Sequence, residues 1–253
     1  MRNFILTLLL LPIIAFAQPT TVVYDITNSR VVDGTLDNSE LSIASISKFM
    51  TVYTVLNERQ DLTEILTVTS KKTPNTKLSR GMRLTRLDLI NLALIGSDNI
   101  AALTLAENFP LGYSNFINKM NQHSRDLNML NTRFVEPTGL SPMNYSTISD
   151  IVLLSTAMHE YDIIREAAKV RSVTVYSGQG KKKVKITSNS TSQYFGREGI
   201  VAIKTGFTKA AGFCITMIVN ANDQIYNITI LGAKSKHERQ VLIDRFLKSI
   251  YNS

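Results

Sequence analysis

The chain has 253 residues, of which 44% are hydrophobic and 19% charged, and it carries a formal net charge of +8. This composition excludes disordered, collagen-like and disulfide-rich classes, because the chain can bury a sizeable core and its single cysteine, Cys214, cannot form an intramolecular disulfide. The positive charge favours polyanionic partners in general, such as nucleic acid, anionic lipid or an acidic cell-wall polymer.

Residues 1–17 have the pattern of a secretory signal peptide. Arg2 precedes an apolar run over residues 4–14, which ends in small residues. Because this run is shorter than the roughly 20 apolar residues of a membrane-spanning helix, we expect cleavage before Gln18 and no stable membrane anchor. Export makes nucleic acid the least favoured partner and predicts a secreted domain, residues 18–253, that acts in the periplasm.

Hydrophobic periodicity predicts strands, then a helical block, then strands again. The first strand spans about residues 21–26, and a second extended piece begins near Val31. A helix with an apolar stripe opens at Ser45, and further helices are predicted to begin at Thr85 and near Asp98, Tyr113 and Thr147. Period-two segments then predict strands over about 170–176, 184–187, 201–204, 213–220 and 226–231, and a closing helix over 236–250.

This order does not alternate strand and helix, so a doubly wound fold is excluded. We expect an α+β fold in which both ends of the chain build one largely antiparallel sheet flanked by helices. The predicted sheet lobe covers about residues 18–44 and 165–253, and the inserted helical lobe covers about 45–164. A lysine-rich run at 181–185 follows a turn signal at 177–180 and is expected to be a solvated hairpin arm.

Several reaction classes lack their motifs. The sequence contains no Gly-x-Ser-x-Gly elbow, no P-loop and no dinucleotide-binding fingerprint. His123, His159 and His237 lack metal-ligand spacing, and one cysteine cannot build a thiolate site. We therefore predict no metal and no cofactor, and a Ser-His-Asp hydrolase stays open without local support.

The string Ser45-Ile46-Ser47-Lys48 opens the first long predicted helix. Residues three apart share a helix face with Cβ atoms roughly 5 to 6 Å apart, so the Lys48 amine can reach the Ser45 hydroxyl. Lysine activates a serine only if desolvation or another cation lowers its pKa. Taken alone, the string is also compatible with an ordinary surface pair.

Two further strings follow in order. Ser-Asp-Asn at 97–99 comes just after Gly96 and, taken alone, is also a common helix N-cap. Lys-Thr-Gly at 204–206 ends a predicted strand and, taken alone, is also compatible with an edge strand and its turn glycine.

Together and in this order, the three strings resemble the motifs of the serine penicillin-recognising enzymes. Their first residues lie 52 and 107 positions apart (97 − 45 and 204 − 97). The longer strings 42–51, 131–141 and 204–208 look like the low-molecular-mass D-alanyl-D-alanine peptidases, a group of penicillin-binding proteins, specifically the endopeptidase type. The resemblance covers nearly the whole mature chain and implies a β-lactamase/transpeptidase-like fold.

The resemblance also implies a role for each matching residue. Ser45 is expected to be the acylated nucleophile, Lys48 its general base, and Ser97 the relay of a proton to the leaving amine. Lys204 is expected to keep Lys48 neutral by like-charge repulsion. The substrate-binding residues implied are Asn99, Lys204, Thr205 and Gly206, and the implied oxyanion hole consists of the backbone N–H groups of Ser45 and Phe207.

The resemblance therefore implies a hydrolase that cleaves D-alanyl bonds in peptidoglycan peptide stems through an acyl-enzyme and that β-lactams inhibit covalently. The expected bond is the D-alanyl–diaminopimelate cross-bridge. A carboxypeptidase that removes terminal D-alanine stays open, as do a class A β-lactamase and a non-enzymatic β-lactam sensor. The sequence leaves the oligomeric state open.

Two departures from the family pattern bear on this choice. Many carboxypeptidase relatives have Ser-Gly-Asn in the middle motif, whereas Ser-Asp-Asn also occurs in class A β-lactamases. Those β-lactamases add a deacylating glutamate, but Glu136 lies in a Glu-Pro-Thr-Gly-Leu string that matches the peptidases. The chain also ends soon after the closing helix, without the extra β-domain and amphipathic tail of the carboxypeptidases, which favours the endopeptidase.

Overall fold

A computed structural model describes residues 18–71, 76–178, 184–190 and 192–252. The predicted signal peptide and the first three lysines of the basic run lie outside these ranges. The helices are α1 (Ser47–Asn57), α2 (Arg86–Ile95), α3 (Asn99–Glu107), α4 (Gly112–Asp126), α5 (Ile148–His159), α6 (Asp162–Ala168) and α7 (Lys236–Tyr251). A 3-10 turn, Ala44–Ile46, directly precedes α1.

The strands form one large sheet and three small two-stranded ones. In chain order they are β1 (Thr20–Asp25), β2 (Arg30–Gly34), β3 (Leu41–Ser42), β4 (Ile65–Thr67), β5 (Arg83–Thr85), β6 (Tyr145–Ser146), β7 (Ser172–Ser177), β8 (Val184–Asn189), β9 (Ile200–Thr208), β10 (Gly212–Ala221) and β11 (Gln224–Ala233). The small sheets pair β3 with β6, β4 with β5, and β7 with β8.

The large sheet has the order β2-β1-β11-β10-β9, and every neighbouring pair is antiparallel. Val22 near the start of the chain lies opposite Thr229 near its end, which confirms the predicted sheet built from both ends. The middle of β10 and of β11 is buried without interruption, so helices cover both faces of the sheet. Among them, α5 and α7 pack directly on these two strands.

The helical block positions α1 at the centre of the molecule. Its residues from Ser47 to Val52 are all buried, because α3, α4 and α5 pack around it. The predicted apolar stripe is therefore only part of what α1 buries, and Lys48 is enclosed with it. The predicted start of α2 is also observed, since Thr85 and Asp88 form a reciprocal capping box.

The structure departs from the predicted elements in three respects. The helix α6 and the short strands β3 to β6 were not predicted, because elements this short carry little periodic signal. The predicted strand ending at Lys204 continues to Thr208, because Gly206 and Phe207 pair with β10. Finally, Ser45 lies in the 3-10 turn rather than inside the first helix.

A buried polar cluster joins α5 to the sheet. Asn227 Nδ2 donates to Ser155 Oγ at 2.6 Å, and Thr229 Oγ1 donates to Asn227 Oδ1 at 2.7 Å. These groups are fully buried, so each depends on the others for hydrogen bonds that water cannot replace. The cluster fixes the helix that supports the central strands.

We expect Asn227→Ala to lower the free energy of unfolding by about 1–3 kcal/mol, because the buried Ser155 and Thr229 hydroxyls would lose a hydrogen-bond partner. Chemical denaturation measures the change. Asn220 is exposed on β10, so Asn220→Ala is the control and should cost less than about 0.5 kcal/mol. Equal losses in both variants would contradict a special role for the cluster.

Candidate active site

Ser45 lies in a tight turn that two glycines hold in place. The preceding residue, Ala44, has φ 48°, a left-handed backbone that non-glycine residues rarely adopt. A Cβ added at Gly139 would lie 1.8 Å from the Ala44 carbonyl oxygen, and one at Gly206 would lie 2.9 Å from the Ser45 nitrogen. One close approach that Gly206 permits is therefore to the Ser45 turn, and Gly206 also lines the cleft.

The Lys48 amine is fully buried beside the Ser45 hydroxyl. Its Nζ lies 2.9 Å from Ser45 Oγ, 2.7 Å from Asn99 Oδ1 and 2.6 Å from the Thr138 carbonyl oxygen. The three partners belong to three separate segments: the 3-10 turn, the first turn of α3 and the loop that follows α4. Together they fix the position of the nitrogen.

Burial lowers the pKa of Lys48 from its ordinary 10.5 to about 7, while the charges of Glu136 and Asp98 act in the opposite direction. Near neutral pH a large fraction of this amine is consequently unprotonated. The resemblance assigned this effect to repulsion from Lys204. In the structure the leading cause is instead desolvation.

Within the Ser-Asp-Asn string, Asp98 caps a helix, whereas Ser97 and Asn99 line the cleft. Asp98 is the N-cap of α3, where its side chain accepts a hydrogen bond from the Ala101 N–H at 3.0 Å. Ser97 has φ 54°, and with Asn99 it turns toward the cleft. The two interpretations of this string, helix cap and site, therefore both hold, because the cap orients the residues on either side of it.

Lys204 lies beneath the second serine. Its Nζ donates to Ser97 Oγ at 2.9 Å and to the Thr205 carbonyl at 2.9 Å, and the side chain is buried. Burial, and then the charges of Lys48 and Arg239, hold the pKa of Lys204 well below its ordinary value. The two lysines thus disfavour being charged at the same time.

Glu136 organises the loop that supplies the Thr138 carbonyl. Its carboxylate accepts hydrogen bonds from the backbone N–H groups of Thr138 and Gly139, each at 2.7 Å, and from Asn144 Nδ2 at 3.0 Å. The loop is also tied to α1, since Thr51 donates to the Pro137 carbonyl at 2.6 Å. Glu136 is therefore used by its own loop, as the peptidase-like string predicted.

An open cleft of about 340 Å³ brings these groups to the surface. The predicted site residues that line it are Ser45, Ser97, Asn99, Thr205, Gly206 and Phe207. Lys48 and Lys204 lie behind this lining and are reached through the two serines. All the predicted site residues are thus brought together in one place.

Five further residues line the cleft that the sequence did not predict as site residues: Gly96, Leu140, Phe213, Lys236 and Arg239. The Phe213 and Phe207 rings stack with centroids 4.2 Å apart, and Arg239 lies over Phe213 at 5.9 Å. No local spacing marks these residues. Only the packing of α7 beside β10 brings Arg239 to the site.

The described residues do not form the side-chain clusters that a Ser-His-Asp triad or a metal site would need. None of the histidines among them lines this cleft, so a Ser-His-Asp triad has no geometry here. Within the same part of the chain, no group of three or more His, Cys, Asp or Glu side chains is arranged to hold a metal ion. No helix in the described ranges is long and apolar enough to cross a membrane.

Comparison with known proteins agrees with this geometry. The model of peptidase family S11, described as D-alanyl-D-alanine carboxypeptidase, matches residues 14–235. The chain is 34% identical over 226 residues to a D-alanyl-D-alanine endopeptidase of Escherichia coli, which covers 87% of this chain and 73% of that protein. It is 32% identical over 232 residues to a D-alanyl-D-alanine endopeptidase of Pseudomonas aeruginosa, again covering 87% and 73%.

Solved structures show the same fold. The DD-transpeptidase of Streptomyces K15 superposes with a TM-score of 0.83 at 19% identity, covering 92% of this chain and 96% of that one. Penicillin-binding protein D2 from Listeria monocytogenes, in a cefotaxime-bound form, superposes with a TM-score of 0.77 at 26% identity, covering 90% and 94%. The predicted transpeptidase-like α+β fold is confirmed. The chain belongs to the D-alanyl-D-alanine carboxypeptidase family of serine peptidases.

Proposed function

We propose that this protein is a peptidoglycan endopeptidase that hydrolyses D-alanyl cross-bridges through an acyl-enzyme on Ser45. The observation that carries the proposal is the buried Lys48 amine, 2.9 Å from Ser45 Oγ, at the base of an open cleft. The endopeptidase relatives named above share 34% and 32% of aligned residues with this chain. A D-alanyl-D-alanine carboxypeptidase of Bacillus subtilis shares 23%.

In the proposed first step, neutral Lys48 removes the proton of Ser45. A neutral amine has two N–H donors and one lone pair, and the Asn99 and Thr138 oxygens accept the two N–H groups. The lone pair is then left for the Ser45 hydroxyl. Ser45 Oγ attacks the D-alanyl carbonyl carbon, and the backbone N–H groups of Ser45 and Phe207 stabilise the oxyanion.

The leaving amine must gain a proton when the amide bond breaks. We assign this step to Ser97, whose hydroxyl accepts a hydrogen bond from Lys204 and lines the cleft. Its proton passes to the amine and is replaced from the lysines behind it. Water then attacks the acyl-enzyme by the same route in reverse, which releases the donor peptide and restores Ser45.

The cleft orients the peptide before the reaction. The strand β9 is an edge of the large sheet, so one row of its backbone groups is available to pair with an extended substrate. Asn99 and Thr205 line the cleft and offer polar contacts. We assign Arg239, which also lines the cleft, together with Lys204 behind the lining, to the binding of an anionic group at the leaving side. β-Lactams would occupy the same place and acylate Ser45.

The alternatives are weighed by particular observations. The family model carries the description of a carboxypeptidase, so removal of terminal D-alanine is the second candidate activity. A class A β-lactamase uses a glutamate to activate the deacylating water, whereas the Glu136 carboxylate accepts hydrogen bonds from N–H groups of its own loop. We further propose that residues 1–17 direct export and that the enzyme acts in the periplasm, on the sequence pattern alone.

Labelled penicillin is expected to acylate the protein once, at Ser45, and the wild type is expected to convert purified cross-linked muropeptide dimers into monomers. Ser45→Ala should lose both activities, whereas Ser42→Ala should keep them. Peptide mapping locates the adduct, and chromatography separates monomers from dimers. Release of terminal D-alanine without any monomer would make the protein a carboxypeptidase, and labelling that survives Ser45→Ala would overturn the nucleophile.

The acylation rate is expected to rise with pH through an apparent pKa near 7, because only unprotonated Lys48 accepts the Ser45 proton. Above this pH the rate should level off. Lys48→Arg, which cannot deprotonate at these pH values, should lower acylation by ~10²- to 10⁴-fold. Replacing His123, His159 or His237 by Gln should leave the titration in place, and its loss in any of these variants would refute the lysine assignment.

The penicilloyl adduct on Ser45 is expected to persist for many minutes in the wild type, followed by intact mass. Glu136→Gln should slow acylation, because the amide NH₂ cannot accept hydrogen bonds from the loop N–H groups and the loop positions the Thr138 carbonyl beside Lys48. The lifetime of the adduct should not change in this variant. A carboxylate that activates the deacylating water would make clearance faster by ~10²-fold or more. Rapid clearance in the wild type that Glu136→Gln abolishes would identify a β-lactamase instead.

A further inference from the structure

A second pocket adjoins the active-site cleft and shares two residues with it. This cavity of about 210 Å³, which we name the basic pocket, is lined by Arg171, Ser192, Tyr194, Lys236, Arg239 and Gln240, among others. Lys236 and Arg239 also line the cleft that holds Ser45. The cleft and the basic pocket therefore meet at these two side chains.

The basic pocket carries positive charge that carboxylates do not balance. Its lining contains Arg171, Lys236 and Arg239 but no Asp or Glu, and none of the three cations forms a salt bridge within the described part of the chain. Two nearby carboxylates have other partners: Asp244 accepts from Tyr194 Oη at 2.8 Å, and Glu238 accepts from the Lys234 N–H at 2.6 Å. The cavity is thus suited to an anion from outside the chain.

Two of the cations are held in place by neutral groups. Arg239 is 6% exposed, and its Nη1 donates to the Cys214 carbonyl at 3.1 Å. Arg171 donates from Nε to the Phe195 carbonyl at 3.0 Å and from Nη2 to the Gln193 carbonyl at 2.5 Å. Backbone carbonyls orient a guanidinium without neutralising it, so remaining N–H donors are positioned for an incoming carboxylate.

Arg239, which the proposed function assigns to the leaving side of the substrate, also lines the basic pocket. A D-alanine leaving group has one carboxylate, for which Thr205 and Arg239 in the cleft are sufficient partners. The leaving group of a cross-bridge is a peptide, and it carries a further carboxylate beyond the one next to the scissile amide. We propose that the basic pocket binds this second carboxylate, with Arg171 as its principal contact. The inference rests on the proposed endopeptidase function and adds the feature that selects cross-bridges over terminal D-alanine.

Two dimers that differ in a single group test the proposal. Both contain a D-alanyl–diaminopimelate bond and keep the carboxylate next to the scissile amide. In the second dimer the terminal carboxylate of the leaving peptide is converted to a carboxamide. We expect the wild type to cleave the acid with a kcat/KM roughly 10- to 100-fold higher than the amide, the range for hydrogen bonds to a charged group.

Arg171→Gln should cleave the two dimers at the same reduced rate, and Arg171→Lys should recover part of the preference. Acylation by labelled penicillin should be unchanged in Arg171→Gln, which shows that the variant is folded. The control is Arg245→Gln, because Arg245 lies on the same helix as Arg239 but pairs with Asp33 at 3.7 Å. This variant should keep the full preference.

Equal cleavage of both dimers by the wild type would overturn the basic pocket as a carboxylate site while leaving the endopeptidase function intact. A preference that survives in Arg171→Gln would overturn it as well. If penicillin labels the wild type but the unlabelled enzyme cleaves neither dimer, both the function and the pocket are overturned. The wild-type comparison stands even if a variant does not fold.

Discussion

Taking the Lys48 amine out of water disfavours its charged form, and the structure makes that burial tolerable with polar partners from separate parts of the chain. The Asn99 side chain and the Thr138 carbonyl accept hydrogen bonds from the amine, and the lone pair of the neutral amine is left for the Ser45 hydroxyl. This requirement accounts for the central position of α1, for the cap that starts α3, and for the loop that Glu136 organises. The 3-10 turn before α1, the start of α3 and the loop each place one oxygen beside this nitrogen.

The nucleophile depends on a second constraint, which is the close approach of three backbone segments. Ala44 and Ser97 both have positive φ, and such conformations persist only where surrounding contacts determine them. Gly139 and Gly206 leave no room for a side chain against the Ser45 turn. The sheet edge, the turn and the loop therefore form one rigid unit, which keeps the reacting oxygen in place before substrate arrives.

Part of the net positive charge of the chain is concentrated around the basic pocket and the adjoining cleft. Arg239 and Lys236 line both the cleft that holds Ser45 and the basic pocket that holds Arg171. In the proposed function, the carboxylates of the leaving peptide would bind to these cations. The positive charge that suggests an acidic polymer as partner would then also discriminate between leaving groups of different length.

The sequence by itself determined the signals that are local: the period change that separates sheet from helices, the start of α2 at Thr85, and the three strings whose residues meet at the cleft. Those strings resemble the motifs of the family by residue type and order, and the structure brings their residues together at one cleft. Tertiary structure alone decided that desolvation, more than Lys204, lowers the pKa of Lys48, and that Gly206 supports the Ser45 turn. It also decided that Arg171 and Arg239 face one cavity. Such contacts join residues that are far apart in the chain. Their spacing along the sequence does not indicate how close they lie in space, because the packing of helices against the sheet decides that distance.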